Sequence, residues 1–154
     1  MIEQLLEFYY KYDMFQEAYL PEERARQIYQ LLLDSGRLHI CQNEGKLLGY
    51  GESVAVNFET FGRIVCGLNI YKNLDKIDIE NGEVAVLLNV TIHPEYRNIG
   101  VIRYLRNDFI LKNKGCKFFT GHALRKTRTQ PWKVFSVDKV LFNIDNFSKE
   151  AIKL

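Results

Sequence analysis

Residues 88–105, Leu-Asn-Val-Thr-Ile-His-Pro-Glu-Tyr-Arg-Asn-Ile-Gly-Val-Ile-Arg-Tyr-Leu, constrain this chain more than any other segment. The β-branched run Val90, Thr91, Ile92 reads as a buried strand. His93-Pro94 stops it, because the residue before proline is conformationally restricted and proline donates no ladder bond. A short polar loop, Glu95 to Ile99, leads to Gly100 and a helical pattern with Ile102, Leu105 and Phe109 on one face. Strand, loop, glycine and helix N-terminus together suit an anion. The free N–H groups of the first helical turn and the positive end of the dipole converge on one spot, and glycine lets a bulky group approach the backbone.

The same residues, Val90-Thr-Ile-His-Pro-Glu-Tyr-Arg-Asn-Ile-Gly100, resemble the acetyl-CoA-binding motif of the GNAT N-acetyltransferase superfamily. In that family a strand ending in hydrophobic-x-Pro-x-Tyr/Phe runs into Arg/Gln-x-x-Gly-x-Gly/Ala. Arg97 and Gly100 match, whereas Ile102 stands where the family has its last glycine or alanine. The similarity is strongest from Glu83 to Lys114. It implies that Val90, Thr91 and Ile92 offer backbone groups to the pantetheine amides, as a sheet edge accepts an added strand. It also implies that the N–H groups of Asn98, Ile99, Gly100, Val101, Ile102 and Arg103 cradle the pyrophosphate.

Length and composition agree with such a domain. At 154 residues the expectation is a single domain, 1–154, able to bury a core without staples. A net charge of +2 does not by itself argue for a nucleic-acid or membrane partner. Cys41, Cys66 and Cys116 are far apart and form no Cys-x-x-Cys pair, which speaks against a zinc site or disulfide framework and fits a reducing, cytoplasmic compartment. No apolar run approaches the roughly 20 residues a membrane span needs, and the start Met-Ile-Glu-Gln has no basic signal-peptide region.

Periodicity predicts helices over Ile2 to about Phe15 and from Pro21 to near Gly36, then a hairpin, Leu38–Gln42 and Leu47–Val56, around Asn43-Glu44-Gly45-Lys46. Gly49 and Gly51 inside the second strand suggest a bulge or a close approach by another group. Phe58 to Leu68 has a helical pattern, and Asn73 to Gly82 reads as an irregular charged connection. The run Glu83–Ile92 reads as a central strand buried on both faces, followed by a helix from Gly100 to Asn113 and a strand from Cys116 to Leu124. A short helix over Thr129–Val137, a strand over Val140–Ile144 and a terminal helix from Asp145 complete the pattern. This order predicts an α/β (α+β) fold with a mixed sheet covered by helices on both faces. The resemblance adds a GNAT-like, largely antiparallel central sheet with two splayed central strands.

Acyl transfer from a thioester to an amine requires a held acyl donor, a neutral amine, a stabilised oxyanion and a protonated leaving thiolate. The resemblance implies acetyl-CoA as donor and a primary amine of a small molecule or protein as acceptor. Candidate bases are His122, late in the strand Cys116–Leu124, and the carboxylates Glu83 and Glu52. Histidine has a suitable intrinsic pKa near about 6.5. The family's Asn-x-x-Ala-x-x-Leu-Tyr helix, laid over Val134–Val140, puts Phe135 at the tyrosine that supplies the acid, and phenylalanine has no proton to give. Ile102 and Phe135 therefore motivate an alternative, a catalytically inactive GNAT-fold binding module for protein or nucleic acid. A basic cluster, Arg125, Lys126, Arg128 and Lys133 around Trp132, is open to the CoA 3′-phosphate, a nucleic-acid surface or solvent alone.

Overall fold

A computed structural model describes residues 1–13, 20–121, 124–125, 128–129 and 133–136. The order is α1 (Ile2–Tyr12), α2 (Glu22–Asp34), β1 (Leu38–Asn43), β2 (Lys46–Val56), α3 (Phe58–Val65), α4 (Ile70–Asn73) and β3 (Val84–Ile92). Then come α5 (Val101–Lys112), β4 (Phe118–Gly121), β5 (Leu124–Arg125), β6 (Arg128–Thr129) and β7 (Lys133–Ser136). The main sheet runs β1-β2-β3-β4-β7, with β3 and β4 parallel and the other neighbours antiparallel. It is the mixed sheet expected from the element order, and largely antiparallel as the resemblance implies.

Strand alternation sends the two faces of β2 into separate cores. Tyr50, Val54 and Val56 join Leu5, Phe8, Ile28, Tyr29 and Leu32 of α1 and α2. On the other face Ala55 joins Ala85, Phe109 and Ile110, and Leu48, an extra residue of β2 at its register shift against β1, packs on Val101 and Leu105 of α5. The α1/α2 helices thus cover one face and α5 the other, each burying an apolar stripe. Leu105 and Phe109 belong to the buried stripe of α5 as predicted, but Ile102 does not: it is 50% exposed, and Val101 takes the inward place.

One irregularity shapes the centre of the sheet. Ser53 pairs with Leu87 and Glu52 with Asn89, so Leu88 is an extra residue in β3, a bulge. Parallel pairing of β3 with β4 ends at Leu87–Gly121, immediately before it. A bulge also reverses which alternate residues face which side. Before it, Val84 and Val86 join the α1/α2 core; after it, Val90 and Ile92 pack on the α5 side. The expected burial on both faces holds for Val84–Val86, while Leu87–Val90 are half-buried.

Two predicted elements change. Of the helix expected over Thr129–Val137, the described residues are strand: Thr129 belongs to β6, and Lys133–Ser136 runs antiparallel to β4, with Phe135 opposite Phe119. Sheet pairing outweighs the weak helical pattern there. The strand expected over Cys116–Leu124 is shorter, because Leu124 pairs with Thr129 in a separate two-stranded ribbon. The elements expected over Val140–Ile144 and from Asp145 lie outside the described residues.

Candidate active site

The C-terminal half of β3 has β2 on one side only. Thr91 pairs with Tyr50 and Ile92 with Gly49, while on the other edge no β4 residue pairs beyond Leu87 among the described residues. The backbone groups of Val90, Thr91 and Ile92 that point away from β2 therefore have no strand partner among the described residues. Gly49 lets this arrangement close on the α5 side. A Cβ there would stand 2.9 Å from Thr91 O and 3.0 Å from Val101 Cγ1. The close approach suggested by the strand glycines is thus found at Gly49.

Past Ile92 the chain turns through His93-Pro94 into a 3₁₀ turn, Pro94–Tyr96, and an exposed turn, Arg97–Gly100. Gly100 has φ +92°, a left-handed conformation that strains any residue with a side chain. The first helical bond of α5 runs from Tyr104 N–H to Gly100 O, and no side chain caps the helix. The N–H groups of Val101, Ile102 and Arg103 are left without an intrahelical acceptor beside the positive end of the dipole. Arg97, Asn98 and Ile99 are exposed alongside them, so the structure brings together the segment that the sequence links to a pyrophosphate.

On the α1/α2 face, next to the bulge, lies a cavity of about 280 Å³. Glu52, only 1% exposed, lines it with its carboxylate. Tyr29 Oη donates to Glu52 Oε1 at 2.7 Å, and the Tyr71 hydroxyl donates to Oε2. Asn89 hydrogen-bonds the same carboxylate. It also donates to Asp13 Oδ2 at 3.0 Å and to Thr91 Oγ1 at 3.3 Å. Tyr29 and Tyr50 share a hydroxyl contact of 2.8 Å. The bulge at Leu88 is what turns Asn89 and Thr91 toward this network.

Burial pushes the Glu52 carboxyl up to about 7, against the Tyr71 and Tyr29 hydroxyls, which favour the ionised form. Burial first, and the neighbouring Glu52 charge second, push Tyr29 and Tyr71 far above the ordinary tyrosine value, so both hydroxyls stay protonated and donate. A carboxylate that titrates near neutrality beside a cavity can take a proton and release it.

The other candidates stand elsewhere. Glu83 precedes β3, 39% exposed, and its carboxylate pairs with Lys117 Nζ at 3.1 Å. Six residues of strand, roughly 20 Å, separate it from Asn89, so the structure does not bring it to the cavity. His122 lies outside the described residues. Phe135 sits in a strand, so the helical alignment that equated it with the family's tyrosine does not apply. Tyr29, Tyr71, Asp13 and Asn89 were not singled out by the sequence. Asn89 next to a β-branched run was the available signal, but the bulge that aims it is a tertiary feature. Among the described residues no group of three His, Cys, Asp or Glu side chains is placed to hold a metal ion. Nor is any helix among them long and apolar enough to cross a membrane.

Solved structures with the same architecture include the loading GNATL domain of CurA from Lyngbya majuscula, at 18% identity and TM-score 0.64, with 82% of this chain and 62% of that chain covered. The GNAT-like decarboxylase GphF, in complex with isobutyryl-CoA, matches at 12% identity and TM-score 0.57, covering 79% of this chain and 60% of that chain. A GNAT family acetyltransferase from Brucella melitensis in complex with acetyl-CoA matches at 11% identity and TM-score 0.50, covering 88% and 80%. The chain is a divergent member of the GNAT fold. It spans about three fifths of the length of the first two structures. No family model and no curated protein matches the sequence. At such identities it is the GNAT architecture that is shared, and side-chain roles rest on this chain's own geometry.

Proposed function

We propose that this GNAT-fold chain is an acyl-CoA-dependent N-acyltransferase that moves an acetyl group directly from acetyl-CoA to a primary amine. One observation carries the reading: among the described residues, pairing of β3 with β4 ends just before the Leu88 bulge, so one strand has an unpaired backbone edge leading to the uncapped turn of α5 and, on its other face, a cavity with a titratable carboxylate. The solved structures in complex with acetyl-CoA and isobutyryl-CoA support an acyl-CoA as the donor. In this reading Val90, Thr91 and Ile92 bind the pantetheine arm through backbone groups, and Arg97 to Arg103 bind the pyrophosphate.

Glu52 is the general base in this reading, ahead of His122 and Glu83. It accepts one proton from the acceptor ammonium, and the neutral nitrogen forms the new C–N bond as the C–S bond breaks. The thiolate leaves and takes up the second proton of the nitrogen; the proton on Glu52 returns to solvent. A CoA thiol ionises within reach of neutral pH, so departure does not demand a strong acid.

Calorimetric titration with acetyl-CoA tests the donor site. Ile102→Glu adds negative charge to the first turn of α5 at an exposed position where an acidic residue favours the helix. Weakening of acetyl-CoA binding by at least about tenfold, with an unchanged melting temperature, is expected. Equal binding by parent and variant would remove the pyrophosphate assignment. Tight binding without thiol release across a broad amine panel would favour a non-catalytic binding module.

A further inference from the structure

The cavity beside Glu52 has a composition that selects its occupant. Two carboxylates, Glu52 and Asp13, line it, and no lysine, arginine or histidine does among the described residues. The Glu52 carboxylate is fully buried and accepts from Tyr29, Tyr71 and Asn89. A carboxylate has about four acceptor sites, so about one is left for a donor entering from the cavity. Apart from Asn69 and Asn89, the rest of the wall is apolar or aromatic: Leu20, Ile28 and Leu88 with Tyr9, Tyr29 and Tyr71. Aromatic faces and carboxylates both favour a cation.

Size narrows the class. A volume of about 280 Å³ holds about nine waters at roughly 30 Å³ each, hence a molecule of about that many non-hydrogen atoms. A lysine side chain, with five atoms beyond Cα, would fill about half of it. The wall also comes from α1, α2, β2, β3 and the Asn69–Tyr71 segment, which together surround a compact body.

We infer that this cavity binds a small primary ammonium with an apolar or aromatic body, of the arylalkylamine kind, and that Glu52 receives its charged end. As the acceptor in acyl transfer the amine depends on the function proposed above; as a ligand it does not. The rise of the Glu52 pKa to about 7 agrees with a group that carries charge when a cation is present and shares a proton with it.

The test is calorimetry of the intact chain with 2-phenylethylamine, with and without CoA present. The amine is expected to bind at least about tenfold more tightly than 2-phenylethanol, its neutral counterpart, and than a lysine-containing tripeptide. Glu52→Gln is expected to weaken the amine by at least about tenfold and the alcohol by less than about twofold. Because Glu52 is buried, a second variant, Leu20→Trp, fills the cavity from its half-exposed rim and is expected to abolish amine binding while Glu52 remains. Equal binding of amine and alcohol, preference for the peptide, or no amine binding in either state would overturn the inference. Amine binding without acetyl-CoA binding would leave it standing and remove the acyltransferase reading.

Discussion

The two faces of the sheet each bury a polar cluster of similar make-up, and they differ in what is left over. On the α5 face His39 is fully buried. Its Nδ1 contacts Asp108 Oδ2 and its Nε2 contacts Ser53 Oγ, both at 2.8 Å. Burial lowers the His39 pKa, so the ring is neutral, donating from Nδ1 and accepting from Ser53 at Nε2. Asp108 is also held by Lys112 Nζ at 2.9 Å, and Phe109 stands edge-on to the imidazole. Both ring nitrogens are engaged, so an apparent serine–histidine–aspartate trio serves as a tie between β1, β2 and α5. On the α1/α2 face Glu52, with three donors on about four acceptor sites, lines a cavity. The comparison shows that buried polar chemistry marks a site where unsatisfied capacity meets space, and marks a structural joint where it does not.

The sharpest way to break this contrast is to neutralise one member of each cluster. Glu52→Gln is expected to lower kcat/KM for the amine by about 10²–10⁴-fold, the usual worth of general-base help, in a thiol-release assay with acetyl-CoA. The parent rate is expected to rise with pH and level off above about 7, as Glu52 ionises. A full rate in the variant would return attention to His122.

A stability measurement reads the same carboxyl without any substrate. Its ordinary value is 4.5 and its folded value about 7, so between these pH values the folded state holds a proton that the unfolded chain has lost. Stability is therefore complete below the lower value and falls as pH rises through the upper one, by about 3 kcal/mol in all. Urea unfolding at pH 5 and pH 8 is expected to show this fall in the parent and a smaller one in Glu52→Gln.

The opposite outcome is expected across the sheet. His39→Ala leaves Ser53 and Asp108 short of partners around a small hole, and is expected to cost about 2 kcal/mol of stability. Acyl transfer by the folded fraction is expected to be unchanged. A selective loss of rate at normal stability would make the His39 trio part of the chemistry.

Two glycines of β2 give the smallest and most local contrast. Gly49→Ala forces a Cβ against Thr91 O and Val101, and is expected to cost about 1–2 kcal/mol and to weaken acetyl-CoA binding. Gly51→Ala meets nothing nearer than 3.6 Å, and thermal melting is expected to stay within about 0.5 kcal/mol of the parent. Similar effects at both positions would mean that Gly49 does not set the spacing between β2, β3 and α5.

Much of the fold was legible because it rests on local patterns. The α2 stripe of Ala25, Ile28 and Leu32, the hairpin turn at Asn43–Lys46 and the strand–glycine–helix run through Gly100 all appear where periodicity and turn chemistry put them. Lys133–Ser136 was not legible. Its partner is β4, more than ten residues away, and pairing at that distance leaves no local period to read. The site divided in the same way. Residues 90–103 are consecutive, so a motif could announce them, whereas Asp13, Tyr29, Glu52, Tyr71 and Asn89 come from separate elements.

The sequence by itself determined the two helices, the hairpin, the central strand and the uncapped α5 turn, because each follows from apolar spacing and from the conformations that proline and glycine allow. Only the tertiary structure decided which side chains share a site. One extra residue at Leu88 shifts the register of β3 against β2, turns Asn89 and Thr91 onto the face of Glu52, and coincides with the end of pairing to β4. Strand side chains alternate with a period of two, so a single bulge reassigns every residue beyond it to the opposite face.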